Sequence, residues 1–311
     1  METSTTNLMI IDPKRYLLIV TGPTAVGKTS LTIRLAQHFK TEILSADSRQ
    51  FYKEMRIGTA SPSSIELKAV PHHFIGHISI HDEYNVSRYE EDALKMLDQL
   101  FTHNHQVILT GGSGLYIKAV CHGIDELPDP DNGLRTELKE LYHNVGIEAL
   151  QDKLKELDPE YFDEVDRSNP KRLLRAIEVC LTTGVTYSSL RKNKPKPRKF
   201  KYVKIGLTLD RQELYHRINH RVDRMMDEGF LSEAKTLFSN RHLNALNTVG
   251  YKELFDHIEG TISLGEAVEK IKTSTRRYAK RQITWFRKDP EIIWFHPDDL
   301  TGIVDFIKAV E

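Results

Sequence analysis

Apolar and polar positions alternate along this chain in two distinct regimes. Tyr16 to Val20 is a short apolar run bounded by polar residues, the pattern of a buried strand. After Lys28, the residues Leu31, Leu35 and Phe39 recur at helical spacing. Glu42 to Ala46 predicts a second strand, Phe74 to Ile80 a weak third and Val107 to Leu109 a fourth. Between the last two, Arg88 to Phe101 is amphipathic, with Leu94, Leu97 and Phe101 on one face. Strand–helix alternation of this kind predicts an α/β fold whose mostly parallel sheet is covered by helices.

The pattern changes after His122. Leu127-Pro128-Asp129-Pro130 interrupts regular structure, and from there to Thr183 every periodicity is helical. A basic, proline-punctuated linker follows, Arg191 to Lys201. Strand character returns from Tyr202 to Leu209, and the chain from Asp210 onward is helical apart from a strand near Ile292 to Phe295. Residues 123–200 therefore read as a helical insertion into a core built from 1–122 and 201–311. No internal repeat is evident.

Composition narrows the class. Of 311 residues, 39% are hydrophobic and 28% charged, a globular balance. No apolar run approaches the roughly 20 residues that span a bilayer, and Met1 to Asp12 lack the basic start and apolar stretch of a signal peptide. Cys121 and Cys180 are too few for a disulfide framework or a cysteine zinc site. These features point to the cytoplasm, and no dimer seam is apparent, which favours a monomer. The formal net charge is zero, but it is unevenly spread. Residues 125–166 carry 14 acidic and 4 basic side chains, 167–204 carry 12 basic against Glu178 alone, and 270–288 carry 8 basic and none acidic. Such blocks suit either solvated helix faces or a polyanion.

Gly22-Pro23-Thr24-Ala25-Val26-Gly27-Lys28-Thr29 matches G-x-x-x-x-G-K-[ST], with a strand before it and a helix after it. Such a loop turns backbone N–H groups toward phosphate oxygens, a lysine neutralises the terminal phosphates, and a hydroxyl helps to hold Mg²⁺. Gly22, Thr24, Ala25, Val26, Gly27, Lys28 and Thr29 are thus expected to bind a phosphate group, with Thr29 at the metal. The fold expected is P-loop NTPase-like. A motor or switch NTPase would carry an aspartate at the end of an apolar strand; here Val107-Ile108-Leu109 runs into Thr110-Gly111-Gly112-Ser113-Gly114. Asp47 follows Ile43-Leu44-Ser45-Ala46 instead. A small-metabolite kinase and another phosphate-handling transferase both remain open on these residues.

Eight segments in order carry a resemblance: the phosphate loop; Ser45-Ala46-Asp47-Ser48-Arg49-Gln50; Ile57-Gly58-Thr59-Ala60; Pro71-His72-His73; Thr110-Gly111-Gly112-Ser113-Gly114-Leu115-Tyr116; Asn169-Pro170-Lys171-Arg172; Val249-Gly250-Tyr251-Lys252-Glu253; and Thr275-Arg276-Arg277-Tyr278-Ala279-Lys280-Arg281-Gln282. Together, from about Leu18 to about Trp294, the chain resembles the tRNA dimethylallyltransferases. Ser61 departs from that pattern, where lysine is common, and Ser113 stands where threonine is common. The resemblance implies that the loop holds the diphosphate of dimethylallyl diphosphate rather than ATP. It further implies that Mg²⁺ assists, that the acceptor is N6 of the adenine beside the anticodon, at tRNA position 37, and that the helical insertion grips the anticodon stem-loop. A close relative of this chemistry prenylates free adenine nucleotides.

Site expectations follow. The N6 amine needs a group to take its proton, and Asp47, past a strand's C-terminal end, is the expected base. Ser48, Arg49 and Gln50 are expected at the adenine and its neighbours, and Ser113 at the base or adjacent phosphate. Asp210 and Glu213 form a candidate capping box; Arg217, Arg221 and Arg224 then lie on one stripe, with Arg221 and Arg217 favoured as diphosphate contacts. Asn169 and Pro170 are expected to open a helix that presents Lys171, Arg172 and Arg175, with Leu173 and Leu174 between them, to tRNA. Arg276, Arg277, Lys280 and Arg281, interleaved with Tyr278 and followed by Trp285, form a second RNA-binding cluster. His72, His73, His77 and His81 are read as structural or RNA-facing, not as a metal site.

Overall fold

The computed structural model describes residues 15–129 and 131–311; the readings made on Met1 to Asp12 and on Pro130 lie outside them. Six strands form one sheet in the order β3-β2-β4-β1-β5-β6: β1 Tyr16–Thr21, β2 Ile43–Ser45, β3 His72–His73, β4 Gln106–Gly111, β5 Lys201–Leu207 and β6 Ile292–Phe295. Each adjacent pair is parallel, with Leu18 opposite both Ile108 and Val203.

A parallel sheet must be covered on both faces, and β1 shows why its sequence is apolar throughout. Leu18 and Val20 face one cluster with Leu31 and Leu35 of helix α1 (Lys28–Phe39), while Leu17 and Ile19 face another. After α2 (Ser64–Ala69), helix α3 (Val86–Leu100) supplies Ala93 and Leu97 to that second face, and α4 (Gly114–His122) supplies Ile117 and Val120. The expected third strand is displaced. Pairing with β2 ends at His73, because Phe74 and Gly76 adopt left-handed backbone angles (φ 63° and 56°); only an isolated bridge joins Ile78 to Tyr52.

The chain divides into two compact units, one of Met1–Cys121 with Pro197–Glu311, the other His122–Lys196. The second is wholly helical in its regular structure: α5 Asn132–Val145, α6 Ile147–Leu157, α7 Pro159–Glu164, α8 Pro170–Thr183 and α9 Tyr187–Leu190. Its core comprises Leu138, Leu150, Leu154, Tyr161, Leu173 and Ile177. The insertion is thus slightly shorter than expected. Arg198 belongs to the first unit, where it donates to the carbonyls of Ala119 and Val120 and pairs with Glu90 at 2.6 Å, and Phe200 packs in that unit's core.

Beyond β5 the first unit continues with α10 (Arg211–Asp227), α11 (Phe230–Leu237), α12 (Tyr251–Ile258), the 23-residue α13 (Leu264–Phe286) and, after β6, α14 (Leu300–Val310). Among the described residues no helix is long and apolar enough to cross a membrane.

Candidate active site

The C-terminal ends of β1, β2 and β4 converge, and their loops make the site. Gly27 caps α1 with φ 109°, a left-handed conformation that brings the loop onto the helix N-terminus. The Lys28 ammonium donates to the Gly22 and Pro23 carbonyls at 2.9 and 2.8 Å, which holds it across the loop. Burial pulls its pKa down to about 8; Asp47 opposes that pull and Arg221 adds to it. Thr24 behaves differently from the expectation. Its amide is spent on Gln282 Oε1 at 2.9 Å, and its hydroxyl accepts from Arg221 Nη1 at 3.3 Å. The side chain of Val26 is buried, so that residue can offer only its backbone; its carbonyl accepts from Arg217 Nη1 at 3.5 Å.

Helix α10 lies beside the loop. Asp210 caps it by accepting from the Gln212 amide at 2.7 Å, but Glu213 closes no capping box: its carboxylate pairs with Arg217 at 2.7 Å, one turn on. Ala25, His216, Arg217, His220, Arg221 and Arg224 line a pocket of about 380 Å³. Arg217, Arg221 and Arg224 were legible as a basic stripe. His216 and His220 were not singled out, although their i, i+4 spacing puts them on the same side of the helix. Burial and the neighbouring Arg224 draw the Arg221 pKa below its ordinary value, while Asp47 and Glu66 act the other way; a guanidinium stays charged regardless.

Asp47 therefore sits within electrostatic range of both Lys28 and Arg221. The loop that carries it is pinned at each residue. Asp47 Oδ1 accepts the Arg49 amide at 3.1 Å. The Ser48 amide donates to Ser113 Oγ at 3.1 Å, and the two hydroxyls lie 3.2 Å apart, so Ser113 fixes the Asp47 loop. Arg49 and Gln50, expected at the adenine, each make hydrogen bonds within the chain. Arg49 Nη1 is bonded to the carbonyls of Asn244 and Ala245 (3.1 and 3.0 Å), and Gln50 Nε2 to those of Thr59 and Ala60 (3.3 and 3.2 Å). Both tie the loop to neighbouring segments.

Helix α13 crosses this arrangement with Tyr278, Gln282 and Trp285 at i, i+4 and i+7. Tyr278 is mostly buried; desolvation raises its phenol pKa, and the Asp47 charge raises it further. Gln282, buried at 6% exposure, donates from Nε2 to the Gly112 carbonyl at 2.9 Å as it accepts from Thr24. An added Cβ at Gly112 would displace Gln282 Nε2 and lie 4.0 Å from Asp47 Oδ2. Sequence reading gave Gln282 no role of its own; the 278–282–285 period was its only local signal. Arg276, expected at RNA, is engaged within the chain. It bonds Asn219 Oδ1 at 2.6 Å and Thr273 Oγ1 at 2.9 Å, which ties α13 to α10. Arg277, Lys280 and Arg281 are exposed.

In the helical unit, Asn169 caps α8 by accepting the Arg172 amide, with Pro170 in the first turn. Lys171 and Arg172 are exposed. Leu173 is fully buried, and Leu174 packs against the same core, so the expectation that they meet RNA is replaced by a structural role. Arg175 is only partly available: it pairs with buried Glu178 at 2.7 Å and donates to the Pro128 carbonyl at 2.7 Å. Of the histidines, His72 Nδ1 lies 2.8 Å from the Val70 carbonyl, and His73 Nε2 lies 2.7 Å from Glu42.

Among the described residues, no three His, Cys, Asp or Glu side chains cluster to hold a metal ion. Thr29 lies in the first turn of α1, within the phosphate loop. A hydroxyl there matches the habit of Mg²⁺, which takes few protein oxygens and completes its shell with substrate phosphates and water.

Residues 50–289 match the family model described as IPP transferase. A tRNA dimethylallyltransferase 1 of Bacteroides thetaiotaomicron is 50% identical, covering 94% of this chain and 95% of its own. A tRNA dimethylallyltransferase of Christiangramia forsetii is 52% identical, covering 94% and 98%. The crystal structure of a tRNA isopentenylpyrophosphate transferase from Bacillus halodurans superposes with a TM-score of 0.69 at 35% identity, over 95% of this chain and 96% of that one. A eukaryotic dimethylallyltransferase acting on tRNA gives 0.76 at 25% identity, over 92% and 75%. With its phosphate loop, its Asp47 loop and near full-length identity of this order, the chain belongs to the IPP transferase family, the tRNA dimethylallyltransferases.

Proposed function

We propose that this protein transfers the dimethylallyl group of dimethylallyl diphosphate to N6 of the adenine at tRNA position 37, 3′-adjacent to the anticodon, and releases diphosphate. One observation carries the reading: the Asp47 carboxylate lies within electrostatic range of Lys28 of the phosphate loop and Arg221 of α10, on a loop pinned by Ser113. A proton acceptor is thereby held beside an anion cradle.

The N6 lone pair is delocalised into the purine, so the amine attacks effectively only if it loses a proton as the C–N bond forms. Asp47 takes that proton. The allylic C–O bond breaks, and its electron pair leaves on the diphosphate. Lys28, Arg221, Arg217 and the amides of Gly27, Lys28 and Thr29 stabilise that charge. Thr29 would hold Mg²⁺, which when bound would add to the neutralisation of the leaving diphosphate. Gln282 and Ser113 position the two loops relative to each other. The target base must leave its stack to reach Asp47. Lys171 and Arg172 of the helical unit, and Arg277, Lys280 and Arg281 of α13, contact the tRNA backbone. The enzyme acts in the cytoplasm as a monomer.

The test is transfer of label from dimethylallyl diphosphate to unmodified tRNA with Mg²⁺, beside an ATP control. Label on the single adenine 3′ to the anticodon supports the reading. Tight ATP binding with no transfer would replace it with a small-metabolite kinase, and label on free adenine nucleotides alone would move the acceptor.

A further inference from the structure

We propose that Trp285 is a stacking platform for the nucleobase next to the target adenine, so that one neighbour of the modified nucleotide is gripped by the protein's rim. This deepens the reading of the acceptor as tRNA and rests on it.

Trp285 falls on the α13 face that carries Tyr278 and Gln282, both of which point into the site. Unlike them it remains 47% exposed, a large aromatic surface left at the protein's edge. Its position is fixed rather than incidental. The indole lies directly against Gly114, where an added Cβ would collide with the ring nitrogen. Gly114 opens α4 immediately after Ser113, whose hydroxyl holds the Asp47 loop. Gly112, two residues before Gly114, faces Asp47 Oδ2. Two residues span at most about 7 Å, so the indole lies no more than roughly 13 Å from Asp47 Oδ2, within reach of a nucleotide adjoining the target base.

The surroundings suit RNA. Lys280, Arg281, Arg287 and Lys288 flank the indole in sequence and are exposed, and no carboxylate occurs from Lys270 to Lys288. An exposed aromatic among cations meets an unstacked base with its ring face and the adjoining phosphates with its neighbours. The protein's other tryptophan, Trp294, lies in β6 against Gly206 and serves the sheet.

Because the chain has 2 tryptophans, Trp294→Phe leaves Trp285 as the only one. Titrating that variant with an anticodon stem-loop RNA should quench its fluorescence. RNA made abasic at one of the two neighbours of the target adenine should still bind but lose the quench. In parallel, Trp285→Leu keeps an apolar cover on Gly114 but removes the ring, and should raise KM for the RNA on the order of 5- to 100-fold. Its affinity for inorganic diphosphate should be unchanged. RNA binding with no change in Trp285 emission, or an unaltered KM in Trp285→Leu, overturns the proposal. Emission that responds to protein concentration instead of RNA would assign the indole to a second copy and equally overturn it. If the RNA does not bind at all, the tRNA reading itself falls.

Discussion

Gln282 Oε1 accepts the Thr24 amide at 2.9 Å across 258 positions of sequence, and the same carboxamide donates to Gly112. One side chain thus spans the phosphate loop and the turn that faces Asp47. Gln282→Leu would leave the buried Gly112 carbonyl unpaired, at about 1–3 kcal/mol, and the part-buried Thr24 N–H without its partner. Denaturant midpoints should fall accordingly. Gln282→Glu keeps the acceptor but sets a carboxylate against the Gly112 carbonyl and beside the diphosphate cradle. Its KM for the prenyl diphosphate should rise roughly 10- to 100-fold. An unchanged KM would remove Gln282 from the positioning role.

Asp47→Asn preserves the acceptor used by the Arg49 amide but cannot take a proton. Turnover should fall by roughly 10²–10⁴-fold, while RNA affinity measured by filter binding stays at the wild-type level. Equal collapse of binding would show that Asp47 shapes the site rather than serving as its base.

Lys28 gives a pH dependence of definite sign. Its ordinary pKa of 10.5 is lowered to about 8 in the folded chain by burial. Between these values the unfolded chain binds more protons than the folded one, so this residue's penalty on stability is full below about 8 and is relieved as pH rises toward 10.5. Diphosphate binding runs the opposite way, because it needs the ammonium. Affinity for diphosphate should fall by about tenfold per pH unit above the folded pKa. Lys28→Met should lose that extra dependence, with the ligand's own titration common to both proteins. Parallel pH profiles for the two would contradict the assignment.

Neighbouring residues of α8 should separate cleanly. Leu173→Ala removes a fully buried side chain from the helical core and should cost about 2–5 kcal/mol. Lys171→Ala and Arg172→Ala, both exposed, should change stability by no more than about 0.5 kcal/mol. Each should weaken RNA binding and lower the slope of log affinity against log salt by about 0.7–0.9. Wild-type slopes in both would place the RNA elsewhere.

Much of this molecule follows from local sequence. Val20 and its neighbours form a strand buried on both faces, and Gly27, Lys28 and Thr29 form a helix-capping phosphate loop, because apolar runs and glycine spacing act over a few residues. Asn169 and Pro170 open α8 where their types require. The stripe of Arg217, Arg221 and Arg224 is readable for the same reason. Tertiary structure decided what each polar group does with its hydrogen bonds. Arg49, Gln50 and Arg276 carry side chains that would suit RNA, yet they are engaged with the backbone of 244–245, the backbone of 59–60, and Asn219. Nothing within several residues of any of them encodes that partner. Gln282 is the converse: unremarked on its own helix, it meets Thr24 and Gly112 only because parallel strands bring distant loops to one end of the sheet. Patterning specifies which surfaces are buried; which distant donor meets which acceptor is fixed only when those surfaces come together.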